Sequence, residues 1–241
     1  ILLMNILSFA LPERAALSPR AWLPEGFANT EIWAASFILI DNKFRGLFSL
    51  LFGASLLLML KRTEEKGENP LNRHFMRALW LLVFGLLHLI FIWEGDILTL
   101  YALIGCVAVL FHAVPFKRKI ALATVCFVAH FVIWAAVVGD SIALDHAARQ
   151  PGAPAEVLAS AQKNRMDWGD TGSIEASEQV ALHQSGYSAI FKARLAQDGD
   201  MPIRLAVLFG AETLGLMLLG MALLESGLLS GHWPRARTLR L

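Results

Sequence analysis

Four titratable side chains stand out by their surroundings: His88 in WLLVFGLLHLIFIW, Glu212 in LFGAETLGLMLLG, and Glu94 and Asp96 in the short polar gap of IWEGDILTLYALIG. A neutral imidazole near its ordinary titration range can take a proton from a hydroxyl or an amine, which makes His88 a candidate general base. An ionised carboxylate deep in an apolar run costs roughly 2.5–3.5 kcal/mol on insertion scales, so Glu212 must be protonated, paired or open to a watery cavity. Two chemistries fit these residue types. One is base catalysis at His88 with Glu212 or Asp96 orienting the ring, and the other is proton cycling at Glu212. Bland roles compete with both. A single His in an apolar helix can hydrogen-bond a neighbouring helix, and Ala211 and Gly215 form a small-xxx-small step that brings another helix close to Glu212. Glu94 and Asp96 can simply cap and join two helices.

A second group gathers at the same end of the apolar runs and supplies substrate-binding candidates. Asp41, Lys43 and Arg45 precede one run, Glu94 lies in the gap, Tyr101 follows it, and Asn5 adds an amide in the opening run. Arg45 or Lys43 could hold a negative group. His112 and Glu225 lie near the opposite ends, close enough to an interface to snorkel, and His130 is expected to be a helix contact. The seven His residues include no pair at three- or four-residue spacing, so a helical metal motif is absent and no metal ligands are assigned. There is no phosphate-cradling glycine motif and no G-x-S-x-G elbow, and no cofactor is evident. Cys106 and Cys126 sit in apolar runs as small hydrophobes.

The elements that must position these groups are membrane spans. Hydrophobic residues make up 56% of the 241 and charged ones only 17%, which places the chain outside the soluble globular range. A formal net charge of +1, with basic residues scattered among apolar runs, removes nucleic acid as a partner and leaves membrane lipid and an unidentified small molecule. The sequence predicts an all-α, polytopic transmembrane bundle of about six spanning segments. These are a stub at Ile1–Leu11, Gly46–Leu60 preceded by an interfacial or re-entrant helix at Ile32–Ile40, Ala78–Trp93, Ile97–Val114, Ile120–Val138 and Ile203–Leu229. On this arithmetic His88 lies roughly 8 Å and Glu212 roughly 13 Å below the same face.

Basic residues set the orientation. Lys61, Arg62, Lys66, Arg73 and Arg77, then Lys117 to Lys119, then Arg235, Arg237 and Arg240 all fall on one side, which makes that side cytoplasmic. The Glu94–Asp96 turn and the long polar stretch 139–201 fall outside. The expected division is therefore 1–138 as transmembrane helices, 139–201 as an extracytoplasmic helical loop carrying an amphipathic helix over 173–197, and 202–241 as a last span with a basic cytoplasmic tail. The opening ILLMNILSFAL lacks both an initiator Met and a basic lead, so the chain is expected to be a piece of a longer protein.

LLMNI near the start, DNKFRGLFSLLFGASLLL at Asp41–Leu58, LLVFGLLHLIFIWEGDILTLYALIG at Leu81–Gly105 and GLMLLGMALLESGLLSG at Gly215–Gly231 resemble, in this order and spacing, the YeiB-like bacterial membrane proteins. The resemblance covers nearly all the spans. It implies a multi-pass inner-membrane protein of unestablished activity, sometimes guessed to be a transporter, with a further C-terminal set of helices. More distantly, that family is similar to transmembrane acyltransferases that modify sugars outside the cytoplasmic membrane. This implies an acyl donor and a membrane-embedded His acting on the acceptor, a role that position carries to His88. After MAL an aromatic and basic pair is expected, where this chain has Leu224 and Glu225. Three readings follow: acyl transfer to an extracytoplasmic acceptor, proton-coupled transport through Glu212, or a non-catalytic membrane subunit.

Overall fold

A computed structural model describes residues 27–93, 95–168, 174–197 and 199–231, and among these every regular element is helical. Helix α1 (Phe27–Ser36) runs through a π-helical turn (Phe37–Asp41) into α2 (Asn42–Glu65). Then come α3 (Pro70–Phe91), α4 (Leu98–Ala108) with a 3-10 turn at Val109–Phe111, and α5 (Phe116–Ala148). Helices α6 (Ala155–Asp167), α7 (Ile174–Gln184) and α8 (Tyr187–Gln197) precede the last, α9 (Met201–Glu225). Among the described residues, four helical stretches are long and apolar enough to cross a membrane: Thr30–Glu65, Pro70–Phe91, Phe116–Ala148 and Met201–Glu225. The Ile1–Leu11 stub lies outside the described residues.

Three expectations about element lengths are revised. The polar residues Asp41–Arg45 do not separate a re-entrant helix from a span, because the π turn accommodates them within continuous helix. The run Ile97–Val114 forms a shorter helix than expected. Its helix and 3-10 turn, Leu98–Phe111, cover about 22 Å against a hydrocarbon core of about 30 Å. It stops where His112 turns its ring back, Nδ1 lying 2.8 Å from the Val109 carbonyl, three residues before Pro115. The expected amphipathic helix over 173–197 is two helices, broken at Gly186, whose φ of +100° suits glycine alone.

The chain divides into two compact units. The unit carrying most of the candidate groups comprises Arg45–Ile133 and the chain from Arg194 on. Its core centres on Tyr101, with Leu56, Leu57 and Leu60 of α2, Val109, and Met217, Leu218 and Met221 of α9. The glycines of α9, at 210, 215 and 220, were expected to thin one face of a span. They do more than that. At 100° per residue, a five-residue step turns a further ~140° around the axis, so the three face different directions. A Cβ on Gly210 would meet Ile104 of α4, one on Gly215 would meet Ala123, Cys126 and Phe127 of α5, and one on Gly220 would lie inside the backbone of α2 at Leu50. Gly53 of α2 answers with the same contact against the backbone of Met217. Each of these last two contacts lies three residues N-terminal to the opposite glycine. Since Cβ bonds tilt towards a helix N-terminus, this is the signature of α2 and α9 running parallel.

The antiparallel pair α5–α9 is closed at one end by Lys119, whose fully buried Nζ lies 2.5 Å from Glu225 Oε1 and 2.8 Å from the His112 carbonyl. Glu225 therefore does not snorkel freely but neutralises a buried cation. Helix α3 ends where the N–H groups of Ile92 and Trp93 both donate to the His88 carbonyl, and His74 Nε2 ties α3 to the Gly105 carbonyl of α4 at 3.1 Å. In the other unit, Ser141 on α5 receives the Trp168 indole N–H at 2.9 Å and donates to Asn164, while Asp145 holds Arg149 and Arg165, so α5 and α6 are stapled side by side.

Two substitutions test this packing. Gly220→Val should destabilise the bundle by about 3 kcal/mol, the upper range for overpacking, because the obstacle is backbone. Glu225→Ala should cost about 3–5 kcal/mol by stranding Lys119, and Lys119→Met in the same chain should recover most of it. Equilibrium unfolding in detergent, followed by circular dichroism, reads both.

Candidate functional site

Gly85 and His88 are three residues apart on α3 and so share a face. Because Gly85 has no side chain, the start of α4 packs directly on that face. A Cβ there would collide with Thr99 and touch Asp96 Oδ2. Asp96 behaves as an N-cap, its Oδ2 accepting the Thr99 backbone N–H at 2.8 Å. Its other oxygen, Oδ1, lies 3.2 Å from His88 Nδ1, within ion-pair distance but without hydrogen-bond alignment, and neither atom has a hydrogen-bond partner. The carboxylate is almost fully enclosed, at 1% side-chain exposure, whereas the imidazole is 32% exposed. Trp93 stands edge-on to the imidazole, 6.3 Å away, and its indole folds over Gly95, where a Cβ would strike the ring. One capping carboxylate thus also faces an imidazole that is partly open to its surroundings, and a small rotation of the ring would bring Nδ1–H onto Asp96 Oδ1.

A second cluster is built by α2, α5 and α9. Arg45 donates to Glu212 Oε2 at 2.7 Å, with side chains 20% and 18% exposed. His130 Nε2 of α5 lies 3.7 Å from the same oxygen. Phe209, one turn before Glu212, receives the Arg45 guanidinium on its ring face at 4.9 Å. Arg45 is further fixed through its backbone: its carbonyl accepts from Ser49 at 3.0 Å and from Tyr101 at 3.4 Å, and the two hydroxyls lie 2.8 Å apart. Tyr101 is 2% exposed and packs on Phe52, so it serves as an internal strut. Helix α4 carries Asp96 at its cap and Tyr101 one turn in, which makes it the element common to both clusters.

Of the two carboxylates considered as partners for His88, it is Asp96 that meets the ring, while Glu212 is held by Arg45. Lys43 is exposed near the start of α2. Asp41 closes the π turn, and its side chain lies outside the described residues, as do Glu94 and Asn5. His130 was expected to be a plain helix contact. Its sequence signal was present, since it is the third ionisable group placed mid-run beside His88 and Glu212, but nothing in the sequence pairs α5 with α9. Ser49, one turn after Arg45, and Gly85, one turn before His88, had no signal beyond spacing. Among the described residues no group of three or more His, Cys, Asp or Glu could hold a metal ion.

Stability reports on the Arg45–Glu212 pair. Arg45→Ala should cost about 2 kcal/mol, below the roughly 3–5 kcal/mol of a fully enclosed pair because both groups keep some exposure. Arg45→Met/Glu212→Leu together should cost less than the sum of the two single changes, giving a coupling above about 1 kcal/mol in a double-mutant cycle by detergent unfolding.

No family model matches the chain, and no solved structure does. Three curated relatives do. Escherichia coli YeiB is 29% identical over 236 residues, 97% of this chain and 54% of its own length. Bacillus subtilis YxaH is 35% identical over 116 residues, 46% of this chain and 29% of its own length. A 39.9 kDa protein encoded in the amylase 3' region of Bacillus acidopullulyticus is 32% identical over 96 residues, 40% of this chain and 27% of its own length. All three are described as uncharacterized. The chain spans about half the length of YeiB and less of the other two.

Proposed function

The chain belongs to the YeiB-like family, whose activity is not established, and from that premise we propose that it forms part of a multi-pass bacterial inner-membrane protein that transfers an acyl group to an acceptor outside the cytoplasm. The observation that carries this reading is the His88–Asp96 pair, in which an enclosed carboxylate oxygen with no other partner faces the Nδ1 of a partly open imidazole. Asp96 accepts the Nδ1–H and stabilises the ring when it becomes charged, while Nε2 takes the proton of an acceptor hydroxyl. The acceptor oxygen bonds the acyl carbonyl carbon, the bond to the donor's leaving group breaks, and the proton passes from Nε2 to that group. Arg45 is the cation for an anionic part of the substrate, on condition that Glu212 releases it. The orientation rests on the basic clusters, which favour an outer position for Asp96. It is supported by α2 and α9 running parallel, as two spans that both run from the outside to the cytoplasm must.

Full-length protein in detergent, given acyl thioesters of several chain lengths and polyol or sugar acceptors, should release free thiol. His88→Ala should lower turnover by about 10²–10⁴-fold with its unfolding midpoint unchanged. Turnover that is indifferent to His88→Ala removes the pair from the mechanism.

One observation favours a second reading. Glu212 sits between Arg45 and His130 on apolar helices, an arrangement in which protonation of the carboxylate would release the guanidinium, as proton-coupled transport requires. Proton flux into vesicles carrying the full-length protein that is abolished by Glu212→Gln and untouched by His88→Ala would select it.

A further inference from the structure

The joint between α2 and α3 lines a solvent-open cavity of about 250 Å3. It is remote from both clusters above, since Arg62 in its wall lies seventeen residues, or about 25 Å, along α2 from Arg45. Its wall has two chemistries. Leu58 and Met59 form an apolar side, and Leu58 belongs to an exposed stripe that continues one heptad back at Leu51. Arg62, Lys66 and Arg73 bring three cations against a single carboxylate, Glu68. Arg62 and Lys66 are four residues apart at the end of the helix and present to one side. Gly67, at φ +74°, then reverses the chain, which brings Arg73 of α3 opposite them.

These cations have no structural duty that would explain their convergence. The turn N–H groups of Lys66, Gly67 and Glu68 already satisfy the Thr63 and Glu64 carbonyls that end α2. The Arg73–Glu68 pair is long, at 3.3 Å, and its side chains are 64% and 51% exposed, so it contributes little and yields to a stronger anion. Among the described residues no carboxylate lies within ion-pair distance of Arg62 or Lys66. A volume of about 250 Å3 falls below the roughly 300 Å3 at which drug-sized pockets begin, which suits a phosphate group and its ester oxygens rather than a nucleotide or larger cofactor. The position is where an apolar run ends in basic residues, the level of a lipid headgroup, and the Leu51–Leu58 stripe offers an acyl chain a path beside it.

We infer that this cavity binds a phosphate ester at the membrane edge, with an anionic phospholipid as the source that its apolar wall favours over free phosphate.

The test uses full-length protein in detergent, titrated separately with phosphatidylglycerol, phosphatidylcholine and inorganic phosphate, and read by native mass spectrometry and thermal unfolding. One phosphatidylglycerol per chain should be retained in preference to phosphatidylcholine. The triple variant Arg62→Gln/Lys66→Gln/Arg73→Gln should lose that retention by about 100-fold, at roughly 5-fold per cation removed. Its lipid-free unfolding midpoint should match the parent, since the cations are solvent-facing. Lys117→Gln/Arg118→Gln, which removes cations outside the cavity, should keep retention. Equal retention by parent and triple variant, or equal loss in the control variant, overturns the site. Protection by inorganic phosphate that needs the three cations, without preference for phosphatidylglycerol, overturns the lipid source and assigns the cavity to soluble phosphate.

Discussion

The arrangement of the larger unit depends on how closely other helices approach α9. Apolar side chains gain little by leaving lipid for one another, so helices associate where small residues let backbones touch. Helix α9 supplies three such places at five-residue intervals, and the geometry of the α-helix sends them towards α4, α5 and α2 in turn. The registers follow. Arg45 and Glu212 are offset by 167 residues, and Gly53 and Gly220 share that offset, 220 − 53 = 167, so the glycine contact and the ion pair are one parallel alignment read at two heights. Along α5, the pairs His130–Glu212 and Lys119–Glu225 are the two ends of an antiparallel alignment with the Gly215 contact between them.

Such close contact explains how charges can stand within apolar helices. A guanidinium on α2 reaches a carboxylate on α9 only if the axes are near, and the desolvation that burial imposes on each group is offset only when the partner is in hydrogen-bond reach. At Arg45 the offset is completed by the Phe209 ring and by two hydroxyls that occupy its carbonyl. The short α4 serves the same end. Being short, it can place a cap at Asp96 against α3 and a phenol at Tyr101 against α2, so one helix fixes the height of both polar clusters.

The sequence makes the class of fold legible through composition alone: long uncharged runs, polar joints and basic ends read directly as helices able to span a membrane. The candidate groups were legible for the same reason, since an ionisable residue inside an apolar run is conspicuous. Partners were not. Whether Glu212 would meet His88 or Arg45 depends on the rotation of α9 about its axis, which one-dimensional hydropathy does not encode, and the glycines that set it looked like a single thinned face until their five-residue spacing was turned into angle. Length was misjudged where hydropathy outlasts structure. The run 97–114 stays apolar after the helix has ended, because the 3-10 turn and the His112 ring contact that stop it replace no apolar residue with a charged one.

Charge counting shows what distinguishes the Asp96 end. The enclosed or half-enclosed carboxylates of α4 and α9 are Asp96, Glu212 and Glu225. Arg45 and Lys119 pair with the latter two at hydrogen-bond distance, which leaves those pairs with no net charge. Asp96 has no such cation. It has a backbone N–H on one oxygen and the His88 imidazole 3.2 Å from the other. An enclosed carboxylate whose neighbour is an imidazole rather than a fixed cation is an arrangement absent from the other two pairs, and it sets the α3–α4 turn apart from both.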